Sequence, residues 1–248
     1  MHSALSCAGV GHHYHPGASV LDGIDLTLDP GVIGLVGVNG AGKSTLLQIL
    51  AGSLRPSTGT VHLGSADLYG RGRRTALRRV AMMPQDFRFP GDVRVRDALR
   101  YCGWLRGLDT AAAVTRTDVV LEAVGLADRA GDRLGSLSGG MVRRIALAQA
   151  LIAEPEVLLL DEPTTGLDPE QRVAVRALIS EIAPARTVLM SSHVMEDLEQ
   201  LADRIVVLDA GVVLHDSSMD AFLDDHGGAE RSAEAAFLQV LVSNRAAR

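Results

Sequence analysis

The stretch Gly37-Val38-Asn39-Gly40-Ala41-Gly42-Lys43-Ser44-Thr45 decides the fold of this 248-residue chain. It continues a compact apolar run, residues 32–38, and leads into residues 45–51, which we predict to form a helix. Glycines let the backbone turn its N–H groups toward an anion, and the N-terminus of a helix adds its positive end. A G-x-x-x-x-G-K-S/T pattern between a buried strand and a helix predicts a loop that binds nucleotide phosphates.

Lys43 is the only lysine among the 24 lysine and arginine residues of the chain. Codon bias explains the scarcity of lysine but not its location. An ammonium group is a compact point charge on a thin stem, whereas a guanidinium group is a wide planar fork. We therefore predict that Lys43 reaches the β- and γ-phosphates of a nucleotide and that Ser44 places its hydroxyl on Mg²⁺.

Composition and charge exclude several classes of protein. With 47% apolar and 22% charged residues the chain is an ordinary globular sequence, and no apolar run reaches the roughly 20 residues that a membrane crossing requires. The N-terminal residues lack the pattern of a secretory signal. Two cysteines, Cys7 and Cys102, suit a reducing compartment rather than a disulfide framework. A net charge of −6 disfavours a generic nucleic-acid binder.

Short apolar runs of the length of buried parallel strands recur at residues 79–83, 157–160, 187–190 and 205–208, and helical stretches separate most of them. We predict an α/β fold, a P-loop NTPase core with a mainly parallel sheet, together with an antiparallel β subdomain over residues 5–28 and 61–63 and an inserted helical subdomain over about residues 86–140. The ATPase domain is predicted to span residues 1–226. A short helical tail, residues 227–248, is predicted to carry a helix over residues 229–242.

Two carboxylates, Asp161 and Glu162, follow the apolar run of residues 157–160. Such an arrangement places both acids at the carboxyl end of a buried strand, where open α/β sheets bind their ligands. Asp161 suits Mg²⁺ held through its water shell, and Glu162, on the other side of the strand, suits a base that polarises the attacking water. Many strands end in a solvated acid, so the pair indicates a site only together with the phosphate loop.

The chain resembles the nucleotide-binding subunits of ABC transporters over nearly its whole length. Leu137-Ser138-Gly139-Gly140-Met141 looks like the family signature, with Met141 at the position of the usual glutamine, a variant similar to that of export-type members. In this family the signature of one protomer covers the ATP bound to the phosphate loop of the other. The resemblance therefore implies a homodimer or heterodimer of ATPase subunits that closes on two ATP molecules.

The resemblance implies roles for four further residues. Gln85 would contact Mg²⁺ and begin the region that touches the membrane subunit, and His193 would contact the γ-phosphate. Tyr14 would stack on adenine, and Asp168 would lie in the loop that crosses the dimer interface. Asp168 is also predicted, with Pro169 after it, to cap a helix that runs to about Ile182.

Three histidines surround Tyr14 and raise the alternative of a metal site. His12, His13 and His15 have no cysteine, aspartate or glutamate beside them at a ligand spacing. We interpret them as part of a solvated loop.

Residues 87–104 contain four of the eight aromatic residues of the chain, and residues 71–106 contain ten arginines. Three interpretations stand: a partly buried aromatic core with a solvated basic face, a docking groove for a cytoplasmic helix of a membrane subunit, or an RNA-binding surface. The resemblance favours the docking groove.

These features predict a Mg²⁺-dependent ATPase subunit, peripheral on the cytoplasmic face of the cell membrane. It would couple ATP-driven dimer closure and hydrolysis to the movement of a substrate, as an exporter, through a separate transmembrane permease subunit. The alternative is a soluble ABC-type ATPase that acts on nucleic acid or ribosomes. Ribosome-acting relatives usually carry two such domains, and repair-type relatives carry long insertions, so we expect no nucleic-acid partner.

Lys43→Arg tests why the one lysine stands in the phosphate loop. The change keeps the charge, but we expect it to abolish or severely weaken productive ATP binding, because a guanidinium fork is too wide for a ring of glycines. Nucleotide binding and steady-state hydrolysis measure the effect. Near-normal ATPase activity in this variant would show that the site does not require lysine, and codon bias alone would then explain the single lysine.

Overall fold

The computed structural model describes residues 4–15, 17–228 and 231–246. Within them the chain forms ten strands, which are, in chain order, β1 (Leu5–His13), β2 (Ser19–Leu28), β3 (Gly31–Val36), β4 (Thr58–Leu63), β5 (Ala66–Asp67), β6 (Val80–Met83), β7 (Val157–Asp161), β8 (Thr187–Ser191), β9 (Arg204–Asp209) and β10 (Val212–Ser218). The same residues form nine α-helices, which are α1 (Lys43–Leu50), α2 (Arg73–Arg78), α3 (Val95–Leu105), α4 (Thr110–Ala123), α5 (Gly139–Leu151), α6 (Pro169–Ile182), α7 (Met195–Leu201), α8 (Met219–His226) and α9 (Ala233–Ala246).

The strands form two sheets, which confirms the predicted α/β class. The larger sheet has the order β10-β9-β3-β8-β7-β6, and its strands are parallel except for β10, which pairs antiparallel with β9 at one edge. The smaller sheet has the order β2-β1-β4-β5 and is antiparallel throughout. The runs predicted as buried parallel strands are β6, β7, β8 and β9.

Each face of the parallel sheet packs into its own core, because successive side chains of a strand point to opposite faces. In β7, Leu158 and Leu160 join the cluster that includes α3, α4 and α5, whereas Val157 and Leu159 join the cluster around α1 and the antiparallel sheet. All five residues of β7 are buried. A strand covered on both faces reads as a continuous apolar run, which is how the sequence revealed it.

Two helical predictions compare differently with the structure. Asp168 caps α6 as predicted, since its Oδ1 accepts the Gln171 N–H at 2.9 Å, and the helix ends at Ile182. The tail helix was predicted over residues 229–242, but the described helix is α9, Ala233–Ala246, and the predicted start lies outside the described residues. The sequence analysis also missed α8, which Ser218 caps and which buries only Met219 and Phe222.

Cys7 and Cys102 are free, buried thiols, and burial raises the pKa of each to about 11. None of the helices in the described part of the chain is both long and apolar enough to cross a membrane.

A buried carboxylate joins α7 to the segment that follows β7. Asp197 is fully buried; its Oδ2 accepts the Thr164 hydroxyl at 2.6 Å and its Oδ1 accepts Arg176 Nη1, on α6, at 2.7 Å. A buried charge persists only when it is paired and hydrogen-bonded. Asp197 therefore fixes the position of α7 relative to α6 and to the segment that follows β7.

Asp197→Ala tests this anchor. We expect the free energy of unfolding to fall by about 3 kcal/mol, because the change leaves the Arg176 guanidinium buried without its partner. Urea denaturation measures the loss. Asp86→Ala is the control, since Asp86 pairs with Arg88 on the exposed surface, where an ion pair contributes little. Equal stability losses in the two variants would contradict the prediction.

Candidate active site

The phosphate loop lies between the end of β3 and the start of α1, as the sequence predicted. Gly42 precedes the helix with a φ of 105°, which a residue with a side chain rarely adopts. A Cβ there would lie 2.7 Å from Leu21 Cδ2, and a Cβ on Gly37 would lie 2.2 Å from the Leu208 carbonyl oxygen. The loop therefore requires glycine at both positions. Because glycine has no side chain, the backbone N–H groups there remain open to an anion.

Lys43 is held at the centre of the loop by backbone oxygens. Its Nζ donates to the Gly37 carbonyl at 2.7 Å and to the Val38 carbonyl at 3.2 Å, and the residue is 7% exposed. Burial lowers the pKa of Lys43, while the nearby carboxylates of Glu162 and Asp161 act in the opposite direction. Among the described residues, the ammonium group thus has carbonyl partners but no direct ion pair, which leaves its charge available to an anion.

A cavity of about 260 Å³ brings most of the predicted phosphate-binding residues together. It unites the phosphate loop with one residue from the end of β6 and one from the end of β7. Its lining comprises Val20, Asn39, Gly40, Ala41, Gly42, Lys43, Ser44, Thr45, Gln85 and Glu162.

Asp161 and Glu162 are both positioned by Ser191, a residue that the sequence analysis did not single out. Ser191 ends β8 directly opposite Asp161 in the parallel register. Its hydroxyl donates to Asp161 Oδ1 at 2.7 Å and accepts the Glu162 N–H at 3.0 Å. The polar residue at the end of an apolar strand run, next to the strand that carries the acids, is the signal that could have found it.

The Glu162 carboxylate is oriented by two side chains. Thr165 Oγ1 donates to Glu162 Oε2 at 2.8 Å, and His193 Nδ1 lies 3.1 Å from the same oxygen. His193 is about half exposed, so its ring remains accessible from the surface. The structure therefore brings the predicted base and the predicted γ-phosphate contact into direct contact with each other.

The predicted metal ligands supply the donor atoms that Mg²⁺ prefers. Ser44 offers a hydroxyl, Gln85 an amide oxygen and Asp161 a carboxylate, and hard cations take oxygen ligands. Ser44 and Gln85 line the cavity, and Asp161 lies beside Glu162 with only 4% of its surface exposed. These residues fit a magnesium ion.

The signature residues lie apart from the phosphate loop of the same chain. Ser138 caps α5, since its Oγ accepts the Met141 N–H at 3.3 Å, and Gly139 lines a different cavity of about 310 Å³. A Cβ on Gly140 would meet the Gln171 side chain of α6, so this glycine leaves room for that side chain. Asp168, at the start of α6, lines neither cavity.

Tyr14 lies near the phosphate loop but is not among the residues that line its cavity. Its hydroxyl is 3.3 Å from Thr45 Oγ1, and the His12 ring packs edge-on against it at 4.7 Å between centroids. Tyr14 is 53% exposed, so its ring can accept a partner.

The interpretation of His12, His13 and His15 as a solvated loop was wrong for the first two, since His12 and His13 end β1 and His12 is buried. Within residues 4–15, 17–228 and 231–246, no cluster of histidine, cysteine and carboxylate side chains suits a metal ion.

These features define a phosphate-loop ATPase with an ABC signature. One edge of the parallel sheet carries the phosphate loop, two acids and a histidine, and a helix that starts with Ser-Gly-Gly lies elsewhere in the chain. The sequence profile described as ABC transporter matches residues 21–165, and the chain belongs to this family. The resemblance found in the sequence is thereby confirmed. The protein is the ATP-binding subunit of an ABC transporter, and it is an ATPase.

Named relatives agree with this assignment. The Nod factor export ATP-binding protein I of Burkholderia lata is 38% identical over 213 residues, which cover 85% of this chain and 70% of that protein. The daunorubicin resistance ATP-binding protein of Streptomyces coeruleorubidus is 40% identical over 210 residues, covering 84% and 66%. A solved structure of an ATP-binding subunit of an ABC transporter superimposes with a TM-score of 0.83 at 25% identity, covering 96% of this chain and 100% of that chain.

Proposed function

We propose that this subunit drives export by closing on ATP as a dimer and reopening after hydrolysis, on the cytoplasmic face of the cell membrane. The observation that carries the proposal is the Glu162 carboxylate, which faces the phosphate-loop cavity and is oriented by Thr165 and His193. The direction of transport follows the names of the relatives, one an export protein and the other a drug-resistance protein.

The chemistry is phosphoryl transfer to water, which depends on positioning and on electrostatic stabilisation. The phosphate loop, from Gly37 to Thr45, would surround the phosphates with backbone N–H groups. Lys43 would exchange its carbonyl partners for phosphate oxygens, which are stronger acceptors for a charged donor. Ser44, Gln85 and Asp161 would hold Mg²⁺, which would neutralise negative charge on the phosphates.

Glu162 is the proposed general base. Thr165 and His193 both contact Oε2, and no described residue donates a hydrogen bond to Oε1, which leaves that oxygen for a water molecule. A positioned carboxylate that takes a proton from the attacking water raises the reaction rate by roughly 10²–10⁴-fold. His193, in contact with this base, would also contact the γ-phosphate.

A dimer is proposed because one chain separates its two anion-binding helix starts. Ser138, Gly139 and Gly140 do not line the cavity of the phosphate loop, so a second subunit would present them to the ATP bound here. Asp168 would then lie at the interface, where the cap of α6 keeps its loop rigid. Tyr14 would stack on adenine, which its exposed ring and its contact with Thr45 support.

The domain limits remain those proposed from the sequence: an ATPase domain over residues 1–226 with a helical subdomain at about residues 86–140, and a tail over residues 227–248. The helices α3 and α4 lie inside the proposed subdomain. In the tail, Ala233, Ala236 and Val240 of α9 belong to the same hydrophobic cluster as Phe222 of α8. The tail therefore packs on the domain instead of extending from it.

The proposed partner is a transmembrane subunit, and two adjoining surfaces suit its cytoplasmic segment. The aromatic string comprises Phe87, Phe89, Tyr101 and Trp104, whose neighbouring ring centroids lie 5.8, 6.3 and 6.1 Å apart. The arginine groove has a volume of about 510 Å³ and is lined by Arg73, Arg74, Leu77, Arg78, Leu105, Arg106 and Gly107.

The exposure of the aromatic string supports a docking surface over a buried aromatic core. Phe87 and Phe89 are half-buried against the core, but Tyr101 is 50% and Trp104 is 64% exposed. Exposed aromatic rings beside arginines are typical of protein interfaces, and among the described residues no carboxylate lines the arginine groove. The surface therefore suits a partner segment that is apolar on one face and acidic on another.

Trp104→Glu tests the docking surface. We expect about a tenfold loss of a co-purifying polytopic membrane protein, because the change removes an aromatic anchor and adds a repulsive charge to the partner's acidic face. Basal ATP hydrolysis should persist. Val242→Glu is the matched control, since Val242 is 64% exposed, as is Trp104, but lies on α9. Equal retention of the membrane protein by both variants would place the docking surface elsewhere.

Glu162→Gln tests the base. We expect ATP binding to persist, turnover to fall at least about 100-fold and the dimer to accumulate with ATP bound, because the amide cannot take the proton from water. Steady-state hydrolysis and size-exclusion chromatography with ATP measure these effects. Hydrolysis at the wild-type rate would remove Glu162 from this role.

A further inference from the structure

The backbone of Glu162 has a left-handed conformation that few residues with a side chain adopt. Its φ is 49°, whereas only glycine enters this region without steric cost. Such a conformation persists where surrounding contacts over-determine it, and it clusters at functional sites. The direction of the Glu162 carboxylate depends on this backbone, so the contacts of its peptide groups bear on the reaction.

On the N–H side, the contact comes from β8. Ser191 is completely buried, and its hydroxyl accepts the Glu162 N–H at 3.0 Å while it donates to Asp161 Oδ1 at 2.7 Å. A hydroxyl can donate and accept at the same time, so both bonds are satisfied by one group. Ser191 thus ties the N–H of the base to the side chain of the preceding acid.

On the carbonyl side, the contact comes from the signature helix α5. The Arg143 guanidinium donates through Nη2 to the Glu162 carbonyl, through Nε to the Pro163 carbonyl at 3.1 Å, and through Nη1 to the Gln85 carbonyl. A guanidinium is a rigid planar fork of donors, so three acceptors around it fix one another's positions. A single side chain therefore connects the base, the residue after it and the segment that carries Gln85.

We propose that Ser191 and Arg143 are positioning residues that clamp the peptide groups of Glu162 from both sides and so hold its carboxylate toward the cavity. This inference rests on the proposed role of Glu162 as the base. Neither residue needs to touch ATP. Because Arg143 also holds the Gln85 carbonyl, a displacement of the Gln85 segment is transmitted to the backbone of the base.

A purely structural role for Arg143 makes a different prediction. In that case its loss lowers the stability of the fold and affects every property of the site in proportion. A clamp on the base affects turnover while ATP binding persists, because among the described residues no hydrogen bond joins Arg143 to Lys43 or to the phosphate loop. The split between turnover and binding separates the two roles.

The test uses the full chain with Arg143→Gln. We expect the turnover number to fall about tenfold or more, while the Kd for a non-hydrolysable ATP analogue with Mg²⁺ stays within about twofold. Arg143→Lys keeps the charge but not the fork, so we expect it to restore less than half of the turnover; it also serves as the test if the glutamine variant does not fold.

Arg116→Gln is the matched control, because Arg116 donates to the Ile152 and Leu151 carbonyls at the end of α5, away from the cavity. We expect it to shift the melting temperature as much as Arg143→Gln does and to leave turnover unchanged. Ser191→Ala is expected to lower turnover. Its effect in combination with Arg143→Gln is expected to be smaller than the product of the two effects, since both side chains act on the backbone of one residue, Glu162.

Three results would overturn the clamp: turnover of Arg143→Gln within about twofold of wild type, a rise in the Kd as large as the fall in turnover, or an equal turnover loss in Arg116→Gln. Glu162→Gln in the same assay separates this failure from that of the proposed base. If Glu162→Gln is inactive while Arg143→Gln is normal, only the clamp is wrong. If Glu162→Gln is itself active, the proposed role of Glu162 as the base is wrong, and the clamp that depends on it is wrong as well.

Discussion

The parallel pairing of β3, β7 and β8 is the constraint on which the whole site depends. In its register, Asp161 of β7 and Leu35 of β3 both pair with Ser191 of β8. The carboxyl ends of these strands therefore lie together, and the phosphate loop, the two acids and His193 emerge at one edge. A slip of one residue in the β7 ladder would turn the Asp161 side chain to the other face of the sheet and remove its bond to Ser191.

At this edge, neither Lys43 nor Arg143 forms a direct ion pair with any residue that the structure describes. Lys43 and Arg143 both lie in the field of Glu162 and Asp161, yet each donates its hydrogen bonds to backbone carbonyls. Burial lowers the pKa of both cations. An anion that enters the cavity can thus pair with the Lys43 ammonium group without displacing a carboxylate of the described residues. Arg143 meanwhile stays hydrogen-bonded to the segment that carries the base.

Local chemistry explains which parts were predictable. β7 was visible because a strand buried on both faces is apolar throughout, and the α6 cap was visible because Asp168 and Pro169 are adjacent. The helix α8 was missed because only Met219 and Phe222 are buried in it, too few to produce a helical period. Arg143 was missed as a positioning residue because it lies 19 residues from Glu162 and contacts backbone carbonyls, which carry no sequence signal. Ser191, 29 residues from Glu162, offered only its place at the end of an apolar run as a signal.

By itself, the sequence determined the phosphate loop, the acidic pair, the signature and hence the family, because these depend on residue types at fixed short spacings. Only the tertiary structure decided how Glu162 is held, since its left-handed backbone is hydrogen-bonded to side chains from β8 and α5. It also decided that the signature does not line the cavity of its own phosphate loop. Both outcomes follow from the packing of elements that are distant in the chain, which no local pattern encodes.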